Sequence, residues 1–255
     1  MEINNDVDNI IDDAIDEEAD DYSEDDEHIL FAKKHKLSKE ILQRLKENDP
    51  SITHLRVQLD CNNTGEYVFN DIDWIKDGDC IINNSQLEMI EVYAQNNYRR
   101  YTLGEEGHNL PTRQQLQDFF SCICQNHSIK IINFHSIRIG DEFGGGLIEG
   151  LQGHSSLKRF QSLYGRMGSI GCRALGKVLN DPKSKLKDLQ MQYCLDDHAI
   201  QALSEILIGN SSVKRLDLSG NIITPAGWRV LSTVIRHPNC KLIALGLHAT
   251  GFNDE

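Results

Sequence analysis

With 255 residues, 39% of them apolar and 7% aromatic, the chain has material for one large domain or two small ones around a sizeable core. Seven dispersed cysteines form an odd set that speaks against a disulfide framework, and in a reducing compartment they are core residues. The net charge of −13 gives no general case for nucleic-acid binding, and no run of about 18 apolar residues predicts a membrane span.

In chain order, residues 1–27 come first, with fourteen acids and neither Lys nor Arg. They hold all the net negative charge, for the remainder has 25 acids against 26 bases. The segment lacks the basic start and apolar stretch of a secretory signal. The expected location is therefore the cytosol or nucleus, where the sequons at Asn62, Asn83, Asn126 and Asn210 carry no sugar. Charge repulsion predicts a disordered acidic tail. Yet Ile3, Val7, Ile10, Ile11, Ala14 and Ile15 recur at helical spacing, so the same segment could dock as an amphipathic helix. Residues 28–50 follow as a capping region. Within Ser38–Asn48, Ile41, Leu42 and Leu45 share one helical face; a piece of an F-box-like adaptor is the rival reading.

From residue 51 to 255 the sequence repeats. Lines beginning at Ile129, Leu157, Leu186, Val213 and Leu242 are spaced by 28, 29, 27 and 29 residues. The fullest copy has apolar Val213, Leu216 and Leu218, then Asn221, Ile223, Gly227 and Leu231, the pattern LxxLxLxxNxLxxxGxxxL. Two earlier, irregular copies start at Ile52 and Leu87, so about seven repeats are expected. Asn-x-Ser or a near equivalent precedes most strands, as at Asn126 and Asn210. The LxxLxL stretch alternates at period two and predicts a short strand with one buried face. The stretch after it recurs at helical spacing. A single unit cannot bury its own apolar face, so the units stack. The expected fold is α/β, a right-handed horseshoe with a parallel β-sheet on the concave face and helices on the convex face.

Several segments invite chemical readings. An insertion near 95–112, with Tyr98-Arg99-Arg100-Tyr101 and a Gly104–Gly107 stretch, is either a binding loop or a tolerated surface loop. Cys122-x-Cys124-x-x-His127 lacks zinc-site spacing and lies on a helix whose Leu116, Phe119, Phe120 and Ile123 form an apolar face. Gly140–Gly150 has no phosphate-loop Lys and reads as a loosened convex turn. No catalytic constellation, metal site or cofactor motif is predicted. The last copy stops at Gly251-Phe252-Asn253-Asp254-Glu255. Either the chain is a fragment of a longer protein, which is the expectation, or a partner covers Leu242–Phe252.

The x positions of LxxLxL point into the hollow of the arc. The residue after each first apolar position is Thr53, Glu88, Lys130, Lys158, Lys187, Lys214 and Ile243, and the next position adds Arg159 and Arg215. A basic ridge is expected along one edge, unless the lysines are merely solvated. Tyr93, His135, Tyr164, Tyr193 and His248 are expected along the other, with Gln161, Gln190 and Gln192 between. Tyrosine and arginine anchor protein interfaces, and the acidic tail is a candidate to fold back onto the ridge.

The motifs from Ser51 to Gly251 resemble intracellular ribonuclease-inhibitor-like leucine-rich-repeat proteins, including those of unicellular algae. The resemblance implies scaffolding, inhibition or recognition of another protein rather than catalysis. Ran GTPase-activating proteins share the repeat length and an acidic segment, although theirs lies on the C-terminal side, so regulation of a small GTPase is the alternative. A nucleic-acid-associated role rests on the lysine column alone.

Overall fold

Wherever the chain writes LxxLxL, a strand starts two residues after the first leucine position. The computed structural model describes residues 35–59, 69–94, 101–102, 111–139, 142–208, 210 and 212–251. The chain divides into residues 1–32 and 33–255; the acidic segment 1–27 and most of the insertion near 95–112 lie outside the described residues. The repeat strands are β2 (His54–Gln58), β3 (Met89–Tyr93), β5 (Ile131–His135), β7 (Arg159–Leu163), β8 (Asp188–Gln192), β9 (Arg215–Asp217) and β10 (Ala244–Gly246). A further strand, β1 (His35–Lys36), pairs parallel with β2 and carries no repeat signature. The sheet runs β1-β2-β3-β5-β7-β8-β9-β10 and is parallel throughout. Two short strands, β4 (Tyr101–Thr102) and β6 (Ile137–Arg138), form a second parallel pair.

Helices lie between the strands: α1 (Lys39–Lys46), α2 (Trp74–Asp77), α3 (Asp79–Ile82), α4 (Arg113–Gln125), α5 (Glu142–Glu149), α6 (Gly168–Leu179), α7 (Asp197–Leu207) and α8 (Pro225–Arg236). From α5 onward each packs against the next. Helices need ~8–10 Å each and strands ~4.8 Å, so the stack bends with the sheet inside. This is the leucine-rich-repeat horseshoe. Among the described residues no helix is long and apolar enough to cross a membrane.

Period-two alternation sets the core. Leu55 and Val57, Ile132 and Phe134, Leu189 and Met191 are all fully buried on the helix side, each contributing roughly 1.5–3 kcal/mol. The early repeats are held by a chain of ring contacts from Phe69 through Trp74, Phe119, Phe120 and Phe134 to Phe160, at centroid distances of 4.8–5.7 Å. In the last repeat Leu242, Leu245 and Leu247 are only half-buried.

The Asn before a strand has a defined task. Asn126 Oδ1 accepts from the N–H of Ser128 at 2.7 Å and Ile129 at 2.9 Å, while Nδ2 donates to Ile81 O at 2.6 Å and Asn84 O at 2.8 Å. Asn84 caps its own strand in the same way and donates to Leu45 O at 3.0 Å. One amide therefore both starts a strand and staples it to the preceding unit.

The expected loose turn around the glycine-rich stretch is a helix instead. Gly144, Gly145 and Gly146 lie inside α5. Glycine is a poor helix former, but α5 meets α6 so closely that a Cβ on Gly145 would lie 2.9 Å from Ile170 Cγ2. Close helix packing overrides local propensity here.

Candidate functional site

Strand register sorts the outward side chains into columns. The first column lies just before the strands, where backbone N–H groups run in series. Lys130 donates to Glu88 O, Lys158 to Lys130 O, Lys187 to Lys158 O and Lys214 to Lys187 O, at 2.7–2.9 Å. The four lysines therefore occupy one row across four adjacent strands. Lys130 is ion-paired with Glu88. Lys158 and Lys187 are exposed and Lys214 half-exposed, and among the described residues none of these three has a carboxylate partner.

The second column runs His54, Met89, Ile131, Arg159, Asp188, Arg215 and Ala244. Here the expected basic ridge is cancelled. Arg159 is buried at 8% exposure, and its Nε and Nη2 each lie 2.9 Å from Asp188 Oδ2. Arg215 Nε reaches the same oxygen at 3.0 Å. Two guanidiniums share one carboxylate, so both are positioned by Asp188. The strand pattern Asp188-Leu189-Gln190 carries the signal, because it puts that acid at the Arg159 position.

The third column is Arg56, Glu91, Asn133, Gln161, Gln190, Asp217 and Gly246. Arg56 grips the buried Glu91 with two bonds of 2.8 and 3.0 Å, and these bonds raise its pKa further above the ordinary value. Its guanidinium also lies 4.9 Å from the Tyr93 ring centroid, while the Tyr93 hydroxyl donates to Gln58 Oε1 at 2.6 Å. Tyr93 is thus built into an Arg56–Gln58 cluster. Met89, Glu91, Ile131 and Asn133 are all buried, so this half of the face presents little side chain. Over β7–β9, by contrast, Gln161, Gln190, Gln192 and Asp217 are half-exposed. Gln192 Nε2 donates to Asp217 Oδ2 at 2.5 Å.

The expected aromatic edge is two columns. Tyr93 and His135 pair in register with Leu163 and Gln192, whereas Tyr164 and Tyr193 come one residue later. That later position is left-handed in five consecutive repeats: Ser136 (φ 56°), Tyr164 (53°), Tyr193 (51°), Gly220 (71°) and Ala249 (50°). The turn rotates the next side chain back to the rim, so the columns converge. His135 and Tyr164 rings lie 5.9 Å apart, and Tyr164 stacks on Tyr193 at 4.8 Å. Gly220 completes the row, since a Cβ there would lie 2.3 Å from the Tyr193 ring. His248 is exposed, two strands from the stack.

The convex side offers less chemistry. An open groove of about 420 Å3 lies between α4 and α5, lined by Phe120, Cys124, Phe143 and Leu147 among others. Burial pushes the Cys124 thiol up to about 12 and the neighbouring Cys122 thiol to about 11. Cys122 Sγ donates to Asp118 O at 3.2 Å and behaves as a core atom, while Cys124 is half-buried at the groove wall. Among the described residues no group of three His, Cys, Asp or Glu side chains could hold a metal ion.

No family model matches the chain. It is similar to NACHT, LRR and PYD domains-containing protein 4C of Mus musculus, 35% identical over 104 residues, covering 40% of this chain and 11% of that protein. NACHT, LRR and PYD domains-containing protein 12 of Homo sapiens is 39% identical over 83 residues, 32% of this chain and 8% of that one. The ribonuclease inhibitor of Mus musculus is 31% identical over 130 residues, 50% of this chain and 28% of the inhibitor. The matched stretches are thus small parts of the relatives, and they support a leucine-rich-repeat type of family. The tropomodulin C-terminal domain of Caenorhabditis elegans superposes at a TM-score of 0.41 and 10% identity, over 65% of this chain and 93% of that one, below the level of a shared fold.

Proposed function

We propose that the chain is a non-catalytic protein-interaction module that grips another protein on the sheet face over β7–β9. One observation carries this reading. That face is a continuous strip of half-exposed amides, Gln161, Gln190 and Gln192, bordered on one side by lysines without a carboxylate partner among the described residues and on the other by a stacked tyrosine pair. Amphipathic rings held rigidly beside hydrogen-bonding side chains are what protein interfaces use as anchors. Relatives of leucine-rich-repeat type are consistent with an interaction role, and one is by name an inhibitor of a ribonuclease. Arg159 and Arg215 serve here as the floor that Asp188 organises. Lys130, Tyr93 and His135 flank the strip on the N-terminal side, where side chains are already partnered.

The test is affinity capture with the native chain and with a variant carrying Lys158→Ala, Tyr164→Ala, Gln190→Ala and Tyr193→Ala. Arg159 is left in place, because its removal would disturb the fold. Proteins retained by the native chain and lost from the variant support the reading. A captured set indifferent to the four changes overturns it.

A further inference from the structure

We infer that the partner segment held by this face is acidic along one edge and aliphatic along the other, and lies across the strands between the two rims. The inference rests on the interaction reading above and specifies its ligand.

The charges are selective. Of the cationic residues on this face, Arg56 is bound by Glu91, Lys130 by Glu88, and Arg159 and Arg215 by Asp188. Among the described residues Lys158, Lys187 and Lys214 have no carboxylate partner, and they precede three successive strands. Unpaired cations in a row ~4.8 Å apart are matched by carboxylates one helical turn apart, about 5–6 Å between their Cβ atoms. From the lysine row to the tyrosine rim is a five-residue strand and the turn after it, at most ~20 Å. A helix about 10–12 Å across fits in that trough, with long lysines reaching in from one side and the Tyr164–Tyr193 stack meeting apolar side chains on the other.

A nucleic acid fits the same surface poorly. The guanidiniums that would fork phosphate are already occupied by a carboxylate, and the half-exposed Asp217 would face the phosphate backbone. A basic row beside a floor whose two arginines and two aspartates cancel selects a ligand that is negative on one edge only.

The chain itself supplies a probe of this chemistry. Residues 1–27 combine fourteen acids with Ile3, Val7, Ile10, Ile11 and Ile15 at helical spacing. A fluorescein-labelled synthetic peptide of that sequence is titrated into the full chain and followed by anisotropy at several salt concentrations. A Lys158→Glu/Lys187→Glu/Lys214→Glu variant should weaken binding about tenfold or more. A peptide with every Asp and Glu amidated should lose binding, and Tyr164→Ala/Tyr193→Ala should weaken it at every salt concentration. Should charge reversal disturb the fold, the three Lys→Ala changes give the same direction. Equal binding by the triple variant, or no binding of the peptide even to a chain whose own Asp and Glu in residues 1–27 are changed to Asn and Gln, overturns the inference. So does a short single-stranded DNA that binds tighter than the peptide and depends on the same lysines. If capture by the face holds while the peptide fails, only the acidic assignment falls. If capture ignores the face, the interaction reading falls first.

Discussion

Arg159 and Asp188 face each other across β7 and β8 at 2.9 Å, both side chains almost wholly withdrawn from solvent. A buried pair of this kind adds little net stability while intact, but losing one partner leaves an uncompensated charge. Asp188→Ala should therefore destabilise the fold by about 3–5 kcal/mol. Arg215→Ala removes only the exposed partner of the same carboxylate and should cost about 1 kcal/mol or less. Urea unfolding of the two variants checks the difference, and equal losses would contradict the assignment.

His154 stands where other repeats have Asn. Its Nδ1 accepts from Leu157 N at 3.2 Å, whereas Asn126 and Asn210 each accept from two backbone N–H groups. Burial holds the imidazole neutral and lowers its pKa below 6.5, with the charge of His127 a smaller contribution in the same direction. Protonation therefore favours the unfolded chain. The contribution is complete above pH 6.5 and is lost as pH falls from there through the lowered folded value. His154→Asn should remove that part of the pH dependence and leave stability at pH 7.5 unchanged or higher, as read from melting temperatures between about pH 5 and 8.

Asn221 is the most heavily used amide of the later repeats. Its Oδ1 accepts from Cys194 N and Leu195 N at 2.8 Å each, and Nδ2 donates to Met191 O at 2.6 Å and Leu218 O at 2.7 Å. Asn221→Ala leaves buried backbone groups unpaired and should cost about 3 kcal/mol or more. Hydrogen exchange should show the loss at Cys194 and Leu195, one repeat away from the substitution.

Ala249 occupies the left-handed position at the end of the series, at φ 50° and exposed. Ala249→Gly should stabilise by about 1 kcal/mol, because glycine reaches that conformation without a Cβ clash. Tyr193→Gly at the equivalent position should not, since it removes the ring that stacks on Tyr164. Denaturation midpoints of the two variants should move in opposite directions.

Thiol reactivity gives a further check. Burial pushes Cys80 and Cys124 up to about 12 and Cys122 to about 11. At pH 8 these three should resist iodoacetamide in the folded chain and label readily in urea. Peptide mapping by mass spectrometry reads each site separately, and fast native labelling of Cys122 would contradict its burial, with Sγ 3.6 Å from the Trp74 carbonyl oxygen.

The repeat strands were legible because LxxLxL fixes period, length and buried face together, and the buried leucine positions are those the pattern names. Even Asn126 and Asn210 were visible as recurrent punctuation. The strand β1 was not, since a two-residue strand has no periodicity and exists only because β2 offers it an unpaired edge. The glycine-rich helix α5 was hidden for a related reason: local propensity argues against it, and only the packing of α6 decides for it. On the candidate face the lysine row could be read straight from the alignment, since it depends only on residue spacing. What a carboxylate on the neighbouring strand does to an arginine depends on register. Asp188 paired off two arginines of a supposed ridge, one of them buried, and five left-handed turns brought Tyr164 and Tyr193 together at 4.8 Å. The sequence determined the repeat and its columns because these follow from spacing along one chain. Tertiary structure decided which side chains stay free, because charge pairing and ring stacking act between strands about 27–29 residues apart in sequence and only ~4.8 Å apart in space.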